Sequence, residues 1–280
     1  MKQLSGGIIL FETVHSKKDT ASSRIRGRWL MNYWPELTEY VNGQKYNFII
    51  YQKSYLVKHA KLYDGIKIFD VVDPDWVQGQ AIKNMIDNVD AITCSTEPLA
   101  QFLRQLTDKP VVVIPDRQDL SFFKEKKIHQ GKAKEVVWYG YSHNASAVKV
   151  VKKSLIRFGL NISIISDKPM SIFTKDDRTI CQERYTQWKL ETVNQEIIKS
   201  DIVIMPSSTN PNFRYKSNNR ITNAWALRMP VAHTVEDLKR FIDPIEREKE
   251  AEMRYNEVLD KYDVRQSVEE FKQLIKRLKK

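Results

Sequence analysis

The sequence predicts an α/β protein built from two Rossmann-like, doubly wound domains in tandem, followed by terminal helices. Three observations predict it. Short β-branched runs alternate with helix-length stretches up to about residue 115, a lysine-rich stretch of weak periodicity interrupts them, and the alternation restarts at residue 135. In the first block, residues 7–11 (GIILF), 47–51 (NFIIY), 66–72 (IKIFDVV), 91–93 (AIT) and 111–114 (VVVI) read as buried parallel strands. Helices are expected over 28–41, 54–63, 79–88 and 96–106, the last with Ser95 or Thr96 as cap and Pro98 in its first turn. In the second block, strands fall at 135–139, 160–165, 201–205 and 230–232, with helices at 145–158, 191–199 and 217–227. Residues 166–189 carry no firm pattern. Expected boundaries are 1–118 for the first domain, 119–134 for a linker, 135–245 for the second domain and 246–280 for terminal helices. In the last of these, Val268, Phe271, Leu274, Ile275 and Leu278 share one helical face.

Composition narrows the function. The 280 residues are 41% hydrophobic and 29% charged, ordinary for a globular chain, and no apolar run approaches the roughly 18–20 residues that span a bilayer. The start is too polar for a signal peptide, and two cysteines, Cys94 and Cys181, permit neither a disulfide framework nor a four-cysteine zinc site. A cytoplasmic protein is expected, free or peripheral at the inner membrane face. Net charge is +11. Residues 1–120 hold 15 basic and 14 acidic side chains, which leaves 31 and 21 for the rest, so the excess lies in the second half. That suits a polyanionic partner such as nucleotide phosphates, an anionic membrane or nucleic acid, although a solvated lysine-rich surface has the same composition. There is no G-x-x-x-x-G-K-[ST] run, which excludes a P-loop NTPase, and no G-x-S-x-G elbow for a serine hydrolase.

The segment 201–234 is the most informative. It reads as strand, Pro206-Ser207 turn, polar loop, then Lys216, Ser217, Asn218, Asn219 and Arg220 opening a helix. Unpaired amides at a helix start, with a lysine and an arginine beside them, suit a phosphate group. The plainer alternative is a capped helix with solvated cations. Asp73-Pro74-Asp75 follows a strand; as a three-residue Asp-x-Asp match it is too short to indicate a metal site, and no metal ligand is expected. One of Asp73 and Asp75 is a candidate general base at the carboxyl end of a parallel strand, with His15 as an alternative.

This segment resembles the donor-binding domain of GT-B glycosyltransferases, in which a "PS … K-S-x-N-R … G-x-P-V" run holds the diphosphate of a nucleotide sugar. Similar matches run along most of the chain: Ser22-Ser23-Arg24-Ile25-Arg26, the FDVVDPDW strand end at 69–76, TCSTEPL at 93–99, Ile114-Pro115-Asp116, and the glycine turn WYGYSHN at 138–144. The resemblance implies a nucleotide-sugar donor, UDP-sugar foremost, and transfer of a hexose without a metal or cofactor. It places Ser22, Ser23, Arg24 and Arg26 on the acceptor side and Gly140, Ser142, His143 and Asn144 near donor nucleotide or sugar. It also implies terminal helices that cross back to the first domain. Tyr215 and Asn223 occupy the positions of the glutamate pair of many retaining members, and Arg228 stands where the family has glycine, so stereochemistry does not carry over. Expected acceptors are an envelope glycan or lipid-linked sugar, or modified-base DNA of the phage type. The non-enzymatic alternative is a nucleotide- or DNA-binding Rossmann module.

Overall fold

A computed structural model describes residues 4–16, 20–206 and 211–279, with the side chains of His15, Ser16 and Ser146 outside the described set. The chain divides into two compact units. Unit 1 comprises Met1–Asp119, Asn210–Asn218 and Tyr262–Lys280, and unit 2 comprises Leu120–Thr209 and Asn219–Lys261. Charge follows the units differently from the sequence halves. Unit 1 holds 23 basic and 17 acidic side chains and unit 2 holds 23 and 18, so both are basic.

Unit 1 is built on β1 (Gly6–Ile9), β2 (Leu37–Glu39), β3 (Phe48–Gln52), β4 (Ile66–Val71), β5 (Ala91–Cys94) and β6 (Val111–Val113), all parallel, in the order β2-β1-β3-β4-β5-β6. Ile8, Ile49, Ile50, Ile68, Phe69 and Ile92 are fully buried, as central parallel strands covered on both faces require. The helix expected over 28–41 is corrected: it stops at Tyr33, and β2 follows. Pro35 is the reason, because it disfavours helical backbone at Trp34, which sits at φ −133° and ψ 82°. Thr96 caps the helix Glu97–Arg104 as expected, accepting from the Leu99 amide at 3.4 Å.

Unit 2 is built on β7 (Glu135–Tyr139), β8 (Asn161–Ser166), β9 (Glu183–Gln187), β10 (Ile202–Ile204) and β11 (Val231–Ala232), parallel in the order β11-β10-β7-β8-β9. β9 lies in the stretch that carried no sequence signal. Its residues, ERYTQ, form an edge strand paired only with β8, so no continuous apolar run is needed. Arg247, fully buried, donates to the carbonyls of Phe241, Ile242, Gln130 and Gly131 at 2.7–3.2 Å and ties the helix Pro244–Lys261 to the segment before β7.

The terminal helix Val264–Leu278 packs in unit 1, not with the unit that precedes it in sequence. Phe271 is fully buried and lies 6.3 Å from Trp34, ring centre to ring centre, and Arg117 pairs with Glu270 at 2.6 Å. Among the described residues no helix is long and apolar enough to cross a membrane.

Two expectations follow. Phe271→Ala removes a filled core position, so it lowers stability by about 3–5 kcal/mol, read by denaturant melting; a loss below 1 kcal/mol would detach this helix from the core. The second concerns acid. His59 pairs with Tyr51 Oη at 2.9 Å and Tyr40 Oη at 3.0 Å, and burial lowers its pKa from 6.5. His129 donates to the Arg228 carbonyl at 2.8 Å, and burial, with Arg247 nearby, lowers its pKa from the same value. Both bind protons less readily folded than unfolded. Their contribution is present above pH 6.5 and is lost as pH falls below it. The melting midpoint therefore drops on acidification through that range, and His59→Gln flattens the drop.

Candidate functional site

In unit 1 the site grows from the carboxyl ends of β3 and β4. The chain leaves β3 through Lys53, whose backbone is left-handed at φ +51°. That turn sends its ammonium to Asp73 Oδ2 at 2.7 Å and Asp75 Oδ1 at 3.3 Å, both just beyond β4. Tyr55 donates to Asp75 Oδ2 at 2.9 Å, and Lys216 pairs with Asp73 Oδ1. Asp75 is 4% exposed at its side chain and Asp73 is 21%, so Asp73 is the reachable member. Their pKa values move in opposite directions. Burial works against ionisation of Asp73, but Lys53 and Lys216 outweigh it and lower the pKa. Burial raises that of Asp75, with the neighbouring Asp73 charge adding to it against Lys53.

A buried ionic floor lies under this cluster. Arg26 grips Asp70 with Nε and Nη2, and its Nη1 donates to the Ile114 carbonyl and lies 3.5 Å from Asp116 Oδ1. Asp70 also accepts from Thr93 Oγ1 at 2.7 Å, and Ser217 Oγ donates to Asp116 Oδ2 at 2.6 Å. Burial depresses the charge on Arg26, but Asp70 and Asp116 outweigh it and the pKa rises. Tyr215 packs edge-on against Trp76 at 5.4 Å, and its carbonyl accepts from Thr96 Oγ1 at 3.2 Å. These contacts seat residues 211–218 on unit 1.

Of the residues expected on the acceptor side, Ser22 and Arg24 are half-buried, while Ser23 and Arg26 point inward. Ser23 donates to Gln52 Oε1 at 3.0 Å and accepts from the Glu12 amide. Both are buried in the polar network, Ser23 on Gln52 and Arg26 on Asp70, Asp116 and the Ile114 carbonyl. His15 belongs to the turn Glu12–Ser16, but its side chain lies outside the described residues, as does Ser207 of the Pro-Ser turn.

In unit 2 the order β10-β7-β8 makes the carboxyl end of β7 a topological switch point, where ligands of open parallel sheets bind. Gly140 stands there at φ +151°, a left-handed backbone that favours glycine, and a Cβ on it would lie 2.6 Å from Arg220 Nη1. Arg220, in the helix Asn219–Ala226, donates from Nη1 to the Tyr139 carbonyl at 3.1 Å, and Tyr139 Oη donates back to the Arg220 carbonyl. Burial lowers the Arg220 pKa, and among the described residues no carboxylate counters it. The Ser142 amide donates to Asp167 at 2.7 Å, and exposed His143 stacks on Tyr141 at 5.7 Å; the Asn144 amide closes the turn on the Tyr141 carbonyl. Trp138 and Tyr139 are core. An open groove of ≈ 810 Å³ beside Gly131, Ile245 and Met253 shares no residue with this turn.

The expected diphosphate run thus divides between the units. Lys216, Ser217 and Asn218 belong to unit 1, where they engage Asp73, Asp116 and Tyr262 Oη, the last at 3.1 Å; Asn219 and Arg220 belong to unit 2.

Solved structures share this architecture over its full length. Anabaena HepE, solved with UDP and glucose, matches with TM-score 0.68 at 8% identity, covering 98% of this chain and 100% of that one. The DNA-modifying enzyme β-glucosyltransferase, solved with and without uridine diphosphoglucose, matches with TM-score 0.62 at 11% identity, covering 98% and 100%. The fold is GT-B. TarM also matches, with TM-score 0.60 at 11% identity, but the 81% of this chain that aligns spans only 54% of TarM. No protein-family model and no curated protein matches the sequence.

Sequence reasoning missed Lys53 and Tyr55. Neither belongs to a motif; a lysine directly after an apolar strand was the one available signal. If the Gly140 turn and Arg220 hold a diphosphate, Arg220→Ala and Gly140→Ala each weaken UDP binding at least about tenfold, the worth of a charged hydrogen bond. Calorimetric titration checks it, and parental affinity in both variants would empty the site.

Proposed function

We propose that this chain is a glycosyltransferase moving a hexose from a UDP-sugar to a hydroxyl group of nucleic acid. The observation that carries it is Arg220, a half-buried cation with no carboxylate partner among the described residues, held against the glycine turn at the switch point of unit 2. Its charge and the turn amides suit a diphosphate leaving group.

The chemistry assigned to the chain is a single displacement. The acceptor oxygen bonds to the anomeric carbon, the bond from that carbon to the phosphate oxygen breaks, and its electron pair leaves with UDP. Asp73 takes the hydroxyl proton, being the more exposed carboxylate of its pair and the one whose pKa is lowered. Its lowered pKa keeps it ready at neutral pH, at the expense of basicity, so proton transfer accompanies late bond formation. We assign the reaction no metal, because the Lys53 ammonium already lies between the two Asp-x-Asp carboxylates. EDTA should leave the rate unchanged; loss on chelation and return with manganese would make those carboxylates ligands.

The terminal helix favours nucleic acid over a membrane-bound glycan as acceptor. A lipid surface would need its apolar face, and Val268, Phe271, Leu274 and Ile275 are buried in unit 1. Both units are basic, which suits a polyanion. The test incubates the protein and UDP-glucose with duplex DNA carrying hydroxyl-bearing bases. Sugar incorporation, with DNA affinity falling steeply as salt rises, is expected, and Asp73→Asn should lower the rate about 10²–10⁴-fold. Salt-insensitive binding, or transfer only with anionic vesicles bearing lipid-linked sugar, would redirect the acceptor to the envelope. UDP binding without any transfer would leave a nucleotide-binding module.

A further inference from the structure

We propose that Lys53 is the positioning residue of the proton acceptor: its ammonium, delivered by a left-handed backbone turn, holds Asp73 aimed and ionised. This rests on Asp73 being that acceptor.

A left-handed conformation at a residue other than glycine is costly and persists only where its surroundings enforce it. Here it occurs at the first residue after β3, in the sheet whose order turns between β1 and β3. The Lys53 amide donates to the Asp70 carbonyl at 2.9 Å, which fixes the turn against β4. The side chain then runs over the Phe11 ring, 4.9 Å from its centre, so its approach is guided on the β1 side as well. The ammonium ends between two carboxylates two residues apart on the same loop, Asp73 and Asp75.

Two negative charges this close disfavour each other's ionisation unless a cation lies between them. Lys53 is that cation. Lys216 meets the other oxygen of Asp73, Oδ1. Among the described residues, Lys53 is the cation that bridges the pair. The charged and titratable groups facing Asp73 are therefore Lys53, Lys216 and Asp75, with Tyr55 behind Asp75 and the Asp116–Arg26 pair in the floor. With Lys53 gone, Lys216 is the cation that remains against Asp73 among the described residues, with Asp75 beside it. Asp73 then gains a proton more readily and loses one of its two fixed contacts.

The test separates charge from backbone. Lys53→Asn keeps a residue that tolerates the left-handed turn but removes the cation, while Lys53→Arg keeps the cation. UDP release from UDP-glucose by the full chain is followed across the acidic pH range, and the Asp73 carboxyl signal is titrated by NMR in the same variants. Lys53→Asn should move both the acid limb of the rate and the Asp73 titration upward by about one pH unit or more, the influence of an adjacent opposite charge. Lys53→Arg should bring both back toward the parent. An acid limb and titration unmoved in Lys53→Asn, whatever the fall in rate or melting point, would overturn the proposal and leave Lys53 a structural residue. Asp73→Asn run alongside tells the two failures apart. Parental turnover there removes the proton-acceptor assignment and this inference with it, whereas a dead Asp73→Asn beside an unmoved Lys53→Asn refutes the role of Lys53 alone.

Discussion

The site of unit 1 depends on one buried contact, the grip of Arg26 on Asp70. Asp70 is the fifth residue of β4, and through the same guanidinium it is tied to the Ile114 carbonyl just beyond β6 and to Asp116. Thr93 on β5 binds the same carboxylate. One arginine from the helical segment after β1 thus fixes the carboxyl ends of three strands. Burying these charges is expensive, and the grip holds because each polar group has a partner. Loss of one partner would leave an uncompensated charge in this buried floor, which is strongly destabilising.

That arrangement reaches the surface in short steps. Asp73 follows Asp70 by three residues, and Ser217, bonded to Asp116, directly follows in sequence the lysine that meets Asp73. The segment 211–218 reaches unit 1 by Tyr215 on Trp76 and by Ser217 on the floor, so Lys216 arrives at Asp73 as a consequence of packing. A single exposed ion pair contributes little by itself. Held at both ends by packed structure, this one joins Lys53 in lowering the pKa of Asp73.

The fold was legible in the sequence wherever burial imposed a pattern. Central strands such as residues 47–51 and 135–139 are apolar because both their faces are covered, and they announce themselves. β9 did not, because an edge strand of ERYTQ needs no such run, and the helix expected through Pro35 ignored the proline's effect on Trp34. The glycine turn and Arg220 were legible as motifs, and the structure brings them together by a contact between Nη1 and the Tyr139 carbonyl that no motif specifies. The units were less legible. A terminal helix and a nine-residue segment leave their sequence neighbours for unit 1, and the charge asymmetry between sequence halves disappears with them. Arg228 is instructive in the same way: it stands where the related pattern has glycine and retains the glycine's backbone, at φ +58°, while its carbonyl accepts from His129.

The two carboxylates after β4 show how a shared lysine yields two different acids. Asp73 and Asp75 are two residues apart and touch the same ammonium, yet their pKa values move in opposite directions. Coulomb attraction to Lys53 is common to both, so it does not separate them. What separates them is the second partner and the water. Asp73 has another cation and an open side; Asp75 has a neutral phenol and almost no solvent. A phenol donates a hydrogen bond but supplies no net charge, and in a poorly hydrated place that leaves burial and the neighbouring anion in control of Asp75. Pairs driven apart in this way are how one protein keeps an ionised and a more readily protonated carboxyl side by side at the same pH. Here the division follows the second cation, since Lys216 reaches Asp73 while Asp75 has only the phenol of Tyr55 beside the shared lysine.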